Sequence, residues 1–325
     1  MTTAYRAPRW LPGGHAQTLY PLLIRPAPLV FHRQRWDTPD GDFIDLDWYR
    51  FPPAGDRPSQ AAPLLVLFHG LEGSSASHYV TTTLRAAAAR GWGGVAINFR
   101  GCSGEANRLP RAYHAGDSAE IDWILRRLRH LDPDRPHYAV GVSLGGNALL
   151  KWLGEQGDAV GDCVQAAAAV STPVDFATCG HHLARGFNRV YTRHFLTTLK
   201  QSAAEKLRRH PGLFDGERMW AAQNLYQFDD VVTAPLHGFA DADDYWRRAS
   251  SKPWLTGIRQ PTLLLNALND PFLPAPALPS ATEVSPAVQR EFPHHGGHVG
   301  FVTGAPPGRL DWLGERLLTF FQGYR

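Results

Sequence analysis

One pentapeptide, Gly141-Val142-Ser143-Leu144-Gly145, restricts the fold of this chain more than any other feature. The residues before it, 138–142, form a short β-branched and aromatic run that is typical of a buried strand. After it, apolar residues recur at helical spacing: Leu144, Ala148, Leu149 and Trp152. Flanking glycines allow a strained turn that holds a serine hydroxyl clear of the sheet, above the helix N-terminus. The stretch therefore predicts a nucleophile elbow, with Ser143 as the candidate nucleophile.

Apolar runs and helical patterns alternate along much of the chain. Strands are predicted at residues 63–68, 93–99, 138–142, 164–171, 261–267 and 287–292, after a β-hairpin at 34–38 and 43–50. Helices are predicted at 79–90, 117–129 and 310–321, the second opened by a capping box of Asp117 and Glu120. This alternation favours a mostly parallel central sheet with helices on both faces. The predicted class is α/β, and the elbow makes it the α/β-hydrolase fold.

Two segments interrupt the alternation. Residues 1–30 are rich in Pro, Gly and aromatic residues, which predicts an arm packed on the body of a single domain of 325 residues. Residues 173–252 are mainly helical in pattern and carry one stripe at four-residue spacing: Phe187, Tyr191, Phe195 and Leu199. The stripe fits either an ordinary core helix or the apolar underside of a helical cap that lines an acyl pocket. An insertion after the strand at 164–171 would lie over Ser143, which favours the cap.

Composition argues against several classes of protein. The net charge of +3, without blocks of like charge, argues against nucleic acid as a partner. Three cysteines with no Cys-x-x-Cys pair argue against a disulfide scaffold or a zinc knuckle and suit a reducing compartment. The N-terminus has no apolar region typical of a signal peptide, and no apolar run comes close to the about 18 residues that a membrane-spanning helix needs. We therefore expect a cytoplasmic protein without a transmembrane segment; peripheral membrane contact and the oligomeric state stay open.

A serine nucleophile needs an imidazole to take its proton and a carboxylate to orient that imidazole. Both residue types follow Ser143, each directly after a predicted strand: Asp270 after 261–267 and His298 after 287–292. Because the carboxyl ends of parallel strands meet at one edge of the sheet, we expect the three side chains to lie together there. Asp175, after the strand at 164–171, is the rival acid, and Asp270-Pro271 also fits a simple turn.

Two further histidines precede His298 in the same loop. His294, His295 and His298 would fit a metal cluster, but no carboxylate or cysteine stands at ligand spacing, so neither a metal nor a cofactor is expected. Gly296 and Gly297 allow a tight turn before His298, which makes His298 the preferred base. His294 and His295 are expected to position the loop.

The oxyanion of an acyl-transfer intermediate needs two aimed N–H groups. One is expected from Leu144, the residue after the nucleophile, at the helix N-terminus. The other is expected from the loop that follows the strand at 63–68, with the N–H of Leu71 as the best candidate. His69 in that loop is not expected to act as a base, because it would be a second imidazole without a task.

Around these residues stand longer motifs, in which the chain resembles the YheT-like α/β-hydrolases. The blocks that carry the likeness are Gly14-His15-Ala16-Gln17-Thr18, His69-Gly70-Leu71-Glu72-Gly73-Ser74-Ser75, Asn98-Phe99-Arg100-Gly101-Cys102-Ser103-Gly104, Tyr113-His114-Ala115-Gly116-Asp117, Gly141-Val142-Ser143-Leu144-Gly145-Gly146-Asn147, Phe228-Asp229-Asp230, Pro235-Leu236-His237-Gly238-Phe239 and Asn269-Asp270-Pro271-Phe272. They extend over nearly the whole chain.

The resemblance implies a Ser-Asp-His serine hydrolase that acts on carboxylic esters, with esterases, medium-chain ester synthases and lipases or phospholipases among its relatives. Eukaryotic relatives often carry an N-terminal membrane segment, for which this sequence offers no candidate run. Some acyltransferases of the fold carry His-x-x-x-x-Asp, and the position that would hold the acid after His298 is Thr303 here. That departure disfavours a dedicated acyltransferase.

Together these patterns predict a carboxylesterase. Ser143 attacks, His298 relays the proton, Asp270 orients His298, and the N–H groups of Leu71 and Leu144 hold the oxyanion. The aromatic cap favours small-molecule esters with short to medium acyl chains. Three alternatives stay open: acyl transfer to an alcohol, a phospholipid or monoacylglycerol lipase, and a hydrolase-fold protein that binds lipid without turnover.

Overall fold

The computed structural model describes residues 4–24, 27–50 and 62–324, and its centre is an eight-stranded sheet. The strands are β1 (His32–Asp37), β2 (Phe43–Tyr49), β3 (Leu64–Phe68), β4 (Gly93–Asn98), β5 (His137–Val142), β6 (Ala166–Val170), β7 (Thr262–Leu265) and β8 (Val288–Glu291). Their order is β1-β2-β4-β3-β5-β6-β7-β8. The β1–β2 and β2–β4 pairs are antiparallel and all other pairs are parallel, so the predicted α/β class and mostly parallel sheet are confirmed.

Helices cover both faces of this sheet and extend above one edge. They are α1 (Gly14–Leu19), α2 (His78–Ala89), α3 (Ser118–Leu131), α4 (Leu144–Gln156), α5 (Phe176–Leu183), α6 (Arg189–Arg209), α7 (Gly216–Ala221), α8 (Leu225–Phe228), α9 (Ala234–His237), α10 (Ala242–Ala249) and α11 (Asp311–Gln322). A π-helical turn, Asp229–Thr233, joins α8 to α9. Between β6 and β7 the described chain contains helices and loops but no strand.

The central strands are buried on both faces because the residues of β3 alternate between two cores. Leu64, Val66 and Phe68 pack into one core with α3 and α4. Leu65 and Leu67 pack into the other with α2 and α11. Continuous apolar runs such as 63–68 are therefore strands with a helix layer on each side, as the sequence pattern indicates. The rigid sheet between these layers fixes the positions of the loops at its carboxyl edge.

The predicted capping box at the start of α3 is wrong. Asp117 occupies the N-cap position, but its side chain makes no capping hydrogen bond. Its carboxylate instead accepts two bonds from Arg111 Nη2, at 2.7 and 2.8 Å. Glu120 is buried and accepts a bond from Arg100 Nε at 2.7 Å. Both acids are drawn away from the helix end because buried or partly buried arginines give a carboxylate a stronger partner than a backbone N–H does.

The N-terminal segment packs along the C-terminal part of the chain. Tyr5 donates its hydroxyl to the carbonyl of Val302 at 2.8 Å, and Leu11 joins a small core with Val302 and Leu310. In α1, Gln17 and Thr18 are buried whereas His15 and Leu19 are exposed. The buried face of α1 lies against the loops that carry Asp270 and His298.

Candidate active site

Ser143 occupies the sharp turn between β5 and α4 in a conformation that side chains rarely adopt, with φ 53° and ψ −118°. The neighbouring glycines are needed for close approach rather than for a positive φ, which neither has. A Cβ at Gly141 would lie 2.5 Å from the carbonyl oxygen of Gly145, and one at Gly145 would lie 2.7 Å from that of Phe68. The strain therefore falls on the serine itself, whose hydroxyl projects from the edge of the sheet.

The structure brings the three predicted catalytic side chains together. His298 Nε2 lies 3.1 Å from Ser143 Oγ, and His298 Nδ1 lies 2.8 Å from Asp270 Oδ2. The Asp270 carboxylate has no exposed surface, and its other oxygen accepts the N–H of Phe272 at 2.8 Å. A carboxylate at Nδ1 keeps the proton on that nitrogen, which leaves Nε2 as the acceptor for the serine proton.

The rival acid has a different role in the structure. Asp175 caps the N-terminus of α5, where its carboxylate accepts the N–H and the hydroxyl of Thr178. The partner of His298 is Asp270 instead. Because Asp175 is committed to a helix end, it is not the acid of this arrangement.

The loop that carries His298 is held by α1, a contribution that sequence reasoning missed. Thr18 Oγ1 accepts the N–H of His298 at 2.9 Å, and Gln17 Oε1 accepts the N–H of Gly296 at 2.8 Å. Asn269, beside Asp270, joins this network by donating to Gln17 Oε1 and accepting the N–H of Gly297. Gln17 and Thr18 stand in one of the family-like blocks, which was the available signal, but nothing in that block indicates its partners.

His294 and His295 contribute little to this loop. Both side chains are exposed, and the hydrogen bond that His295 makes within the described ranges is a long one, 3.4 Å, to the amide of Asn269. The prediction that these two histidines position the loop is therefore wrong. Gln17, Thr18 and Asn269 position it instead.

The backbone N–H groups of Leu71 and Leu144 have no hydrogen-bond acceptor within the described part of the chain. Leu144 is the first residue of α4, where N–H groups have no partner inside the helix. In the loop after β3, the neighbours of Leu71 are all bonded: Gly70 N–H to Tyr79 Oη at 2.9 Å, Glu72 N–H to Tyr113 Oη at 2.9 Å, and Gly73 N–H to the Gly70 carbonyl at 3.0 Å. Within the described residues, the N–H of Leu71 is thus a free donor between two N–H groups that are hydrogen-bonded, those of Gly70 and Glu72.

Tyrosine hydroxyls therefore flank this free N–H on both sides. Tyr113 also donates its own proton to Glu72 Oε1 at 2.8 Å. Its hydroxyl thus accepts a hydrogen bond from the backbone of Glu72 and donates one to the side chain of the same residue. Burial raises the pKa of both Tyr79 and Tyr113, which keeps both hydroxyls protonated. Neither tyrosine was predicted as part of the site, because each reaches the loop from a distant position in the sequence.

His69 is structural, as expected. Its Nδ1 donates to the Gly70 carbonyl at 2.7 Å and its Nε2 accepts the N–H of Phe99 at 3.1 Å. Both ring nitrogens are thus occupied, and burial lowers the pKa of His69 to about 4, which keeps the ring neutral. Its contacts connect the loop at residues 69–73 to the end of β4.

A cavity of about 460 Å³ opens beside Ser143 and His298. This is within the range of pockets that enclose a drug-sized ligand. The helices between β6 and β7 supply much of its apolar wall: Phe176, Leu183, Phe195, Leu199, Leu225, Phe228, Val232 and Leu236.

Of the predicted stripe, Phe195 and Leu199 line the cavity, Tyr191 is buried against Phe272, and Phe187 is exposed in a turn before α6. Phe272 in turn stacks on the ring of His298, with centroids 4.0 Å apart.

The titratable side chains that line the cavity away from Ser143 include His114, His237 and Asp229. His114 and His237 lie with ring centroids 4.5 Å apart, and burial lowers the pKa of each to about 3, so both are neutral. Burial raises the pKa of Asp229 to about 6, although its oxygens accept bonds from Thr233 Oγ1 and Trp246 Nε1. The wall formed by His114 and His237 therefore carries no charge and suits an uncharged part of a ligand.

Among the described residues, no group of three or more His, Cys, Asp or Glu side chains is arranged to hold a metal ion. Likewise, no helix in the described ranges is both long and apolar enough to cross a bilayer.

Comparison with known proteins gives consistent results. Residues 63–305 match the family described as alpha/beta hydrolase fold. YheT of Escherichia coli (strain K12), which is named as an esterase, is 41% identical over 95% of this chain and 90% of its own. Phospholipase ABHD3 of Homo sapiens is 29% identical over 99% of this chain and 79% of its own. Among solved structures, Est1E from Butyrivibrio proteoclasticus with bound ferulic acid matches 90% of this chain and 98% of its own, with a TM-score of 0.54 and 15% identity.

Proposed function

The chain belongs to the α/β-hydrolase fold family as a YheT-like hydrolase of the esterase or lipase type, and we propose that it cleaves carboxylic esters of short- to medium-chain acyl groups through an acyl-enzyme on Ser143. One observation carries the proposal: Ser143 Oγ, His298 and Asp270 form a continuous hydrogen-bonded relay beside two N–H groups that have no acceptor among the described residues. A protein that only binds lipid has no need of such a relay. The relay therefore favours turnover over lipid binding alone.

In the acylation step, Ser143 Oγ attacks the ester carbonyl carbon while His298 Nε2 takes the hydroxyl proton. The carbonyl oxygen becomes an oxyanion, which the N–H groups of Leu71 and Leu144 stabilise. Collapse of this intermediate breaks the bond to the alcohol, which leaves with the proton held on His298 Nε2. The acyl group stays on Ser143 Oγ.

In the deacylation step, water attacks the acyl carbon and gives a proton to His298 Nε2. The second oxyanion collapses, the carboxylic acid leaves, and the proton returns to Ser143 Oγ. Asp270 stays ionised in both steps and stabilises the imidazolium that forms twice in each cycle.

The cavity supports the proposed range of substrates. Its apolar wall under α6, α8 and α9 would take an acyl chain, and the neutral His114 and His237 would disfavour a charged group in that position. A volume of about 460 Å³ suits a short to medium chain better than a long one.

A series of p-nitrophenyl esters from acetate to palmitate tests this proposal. We expect kcat/KM to peak between butyrate and decanoate and to be lost in Ser143→Ala. A maximum at palmitate would contradict the proposed chain length, and no hydrolysis of any member by the wild type would contradict the proposed activity.

Acyl transfer to an alcohol is tested in the same assay. Ethanol or glycerol is added during hydrolysis, and the products are separated into free acid and new ester. Free acid as the main product at every alcohol concentration supports hydrolysis. A new ester that exceeds the acid at low alcohol concentration supports the synthase alternative.

A further inference from the structure

One surface of the protein combines exposed apolar side chains with free cations. It is formed by the outer face of α1 and the turn after it, and by the N-terminal end of α6 with the turn before it. We call this the α1–α6 surface and define it by eight residues: Leu19, Leu22, Leu23, Arg185, Phe187, Arg189, Val190 and Arg193.

The two parts of the α1–α6 surface are in contact. His15 Nδ1 lies 3.0 Å from Tyr191 Oη, and its ring lies 4.6 Å from that of Phe187. Leu19 follows His15 by four residues, so it shares the face of α1 that meets α6. The apolar exposure here is large, with Leu22 at 63%, Leu23 at 76% and Phe187 at 55%. Exposed apolar groups that are adjacent in this way mark an interaction site more often than scattered ones do.

The cations of this surface are three exposed arginines. Arg185, Arg189 and Arg193 are exposed, and none forms an ion pair or a side-chain hydrogen bond within the described part of the chain. Arg208, exposed on the same helix, is instead paired with Glu205. Arg189 and Arg193 are four residues apart on α6 and are therefore neighbours on its surface, and Val190, three residues before Arg193, lies beside Arg193.

The sequence around this surface contains no acid. Residues 1–36 and 176–204 include no Asp or Glu at all, although the whole chain has 30 acidic residues. The carboxylate that acts on Tyr191 is Asp270, which is buried and bound to His298. The α1–α6 surface is therefore locally basic in a protein whose net charge is only +3.

We propose that the α1–α6 surface docks the protein reversibly on an anionic lipid bilayer. Unpaired arginines are attracted to anionic headgroups, and Leu22, Leu23 and Phe187 can enter the boundary between headgroups and acyl chains. A nucleic acid would use the arginines but gain nothing from the leucines. A symmetric dimer through this surface would bring the arginines of both copies together with no carboxylate from 1–36 or 176–204 to pair with them, which is unfavourable.

Docking here would bring the bilayer close to the candidate active site. Thr18 of α1 binds the His298 backbone, while Tyr191 and Phe195 of α6 pack on Phe272, which stacks on His298. Both elements of the surface thus contact the loops of the site. The surface is also independent of turnover, because none of its residues touches Ser143 Oγ.

Vesicle flotation tests the proposal with purified full-length protein. Phosphatidylcholine vesicles with and without about 30% phosphatidylglycerol serve as probes, in about 0.02 M and about 0.5 M salt. We expect binding only to the anionic vesicles, at least ten-fold weaker at high salt, and unchanged in Ser143→Ala. Equal binding to both vesicle types, or no binding to either, would overturn the proposal.

Two variants assign the binding to the α1–α6 surface. Arg185→Gln/Arg189→Gln/Arg193→Gln is expected to weaken vesicle binding by about 100-fold, since each cation contributes roughly five-fold near an anionic surface. The control, Arg208→Gln/Arg247→Gln/Arg309→Gln, removes the same charge from arginines that are paired with carboxylates and should bind nearly as the wild type does. Equal losses in both would show that only net charge matters and would overturn the assignment.

Leu22→Asp/Leu23→Asp is expected to abolish flotation, while Trp220→Asp, at an exposed site on α7, is expected to have little effect. Hydrolysis of a soluble short-chain ester without vesicles should be unchanged in all variants, which shows that they fold and separates this test from that of the proposed function. Light scattering that finds a dimer lost in the Leu22→Asp/Leu23→Asp variant, or duplex DNA bound in place of vesicles, would contradict the proposal.

Discussion

The floor and the roof of the cavity are held by different forces. At the floor, where the sheet ends, hydrogen bonds of 2.8 to 3.1 Å connect Asp270, His298 and Ser143, and further bonds from α1 hold the loop backbone. At the roof, α6, α8 and α9 contribute apolar side chains such as Phe195, Phe228 and Leu236, and the neutral ring of His237 in α9 packs on that of His114 in the loop before α3. Hydrogen bonds demand a particular geometry, whereas apolar packing tolerates changes of shape. The floor should therefore determine whether reaction occurs, and the roof should determine which ester reacts.

Removing members of the relay is expected to have the largest effect. His298→Ala should lower kcat by about 10⁶-fold and Asp270→Asn by about 10⁴-fold, because the first removes the base and the second its orientation. KM should change little, since substrate binding belongs to the roof. Steady-state kinetics on a medium-chain ester gives both constants.

The matched control for the acid is Asp175→Asn, which keeps a side chain able to cap α5. We expect kcat within two-fold of the wild type. A large loss in Asp175→Asn with little change in Asp270→Asn would reverse the assignment and break the contrast between floor and roof.

Acid should weaken the packing of the roof on the loop before α3, because the buried rings of His237 and His114 meet there. Because burial lowers the pKa of His114 and His237 to about 3, the folded protein resists their protonation, whereas the unfolded chain binds protons below about pH 6.5. The stability that depends on these neutral rings is present above pH 6.5 and is lost as the pH falls toward 3. Each ring should lower the free energy of unfolding by up to about 1.4 kcal/mol per pH unit in this window.

Denaturant unfolding between pH 6.5 and 4 measures that slope. His114→Gln/His237→Gln should have a shallower slope than the wild type, whatever its stability at pH 7. His294→Gln/His295→Gln, at two exposed positions, should keep the slope of the wild type. The same slope in all three proteins would contradict the burial of His114 and His237 as neutral rings.

Tyr113→Phe should show how the floor holds its oxyanion donor. Without the hydroxyl, the N–H of Glu72 loses its acceptor and the adjacent Leu71 N–H is less well aimed. Loss of a whole oxyanion donor costs about 100-fold or more in kcat, so we expect a smaller loss here, about ten-fold, with KM unchanged.

A trifluoromethyl ketone, which forms an oxyanion on Ser143, separates positioning from general damage. Its affinity should fall in Tyr113→Phe by the same factor as kcat, while a ground-state ester analogue binds as before. Tyr226→Phe, which removes an exposed hydroxyl bonded to Asp243, is the control and should change neither value. A rise in KM with kcat intact would assign Tyr113 to substrate binding instead.

Changes in the roof should give the smallest effects, and they should depend on chain length. Leu199→Phe adds volume to the cavity wall and should lower kcat/KM for decanoate by about three- to ten-fold more than for butyrate. Thr197→Phe, on the exposed side of the same helix, should leave the ratio unchanged. An equal loss for both esters in Leu199→Phe would mean that this wall does not contact the acyl chain.

Much of the floor could be predicted because it depends on local patterns. The buried runs of β3 to β7 show as apolar stretches, and the loops after β7 and β8 put Asp270 and His298 at the edge where Ser143 lies. The order of residues along parallel strands is enough for that inference. No knowledge of distances is required.

What could not be predicted depends on partners that are distant in the sequence. Gln17 and Thr18 reach loops about 280 positions away, and nothing local in α1 indicates which N–H groups they receive. The failed capping box has the same cause, since Arg111 and Arg100 compete for Asp117 and Glu120 only in the folded chain. The stripe on α6 shows which residues are apolar but not which of them face the cavity.

The central claim is that Ser143 is a nucleophile activated by His298 and oriented through Asp270, and covalent labelling tests it most directly. Wild-type protein is treated with a fluorophosphonate, the adduct is measured by intact mass and its position is mapped by peptide sequencing. We expect a single adduct on Ser143 Oγ, much slower formation in Asp270→Asn, and none in Ser143→Ala. Equal labelling of the wild type and Ser143→Ala, or an adduct at another residue, would contradict the account.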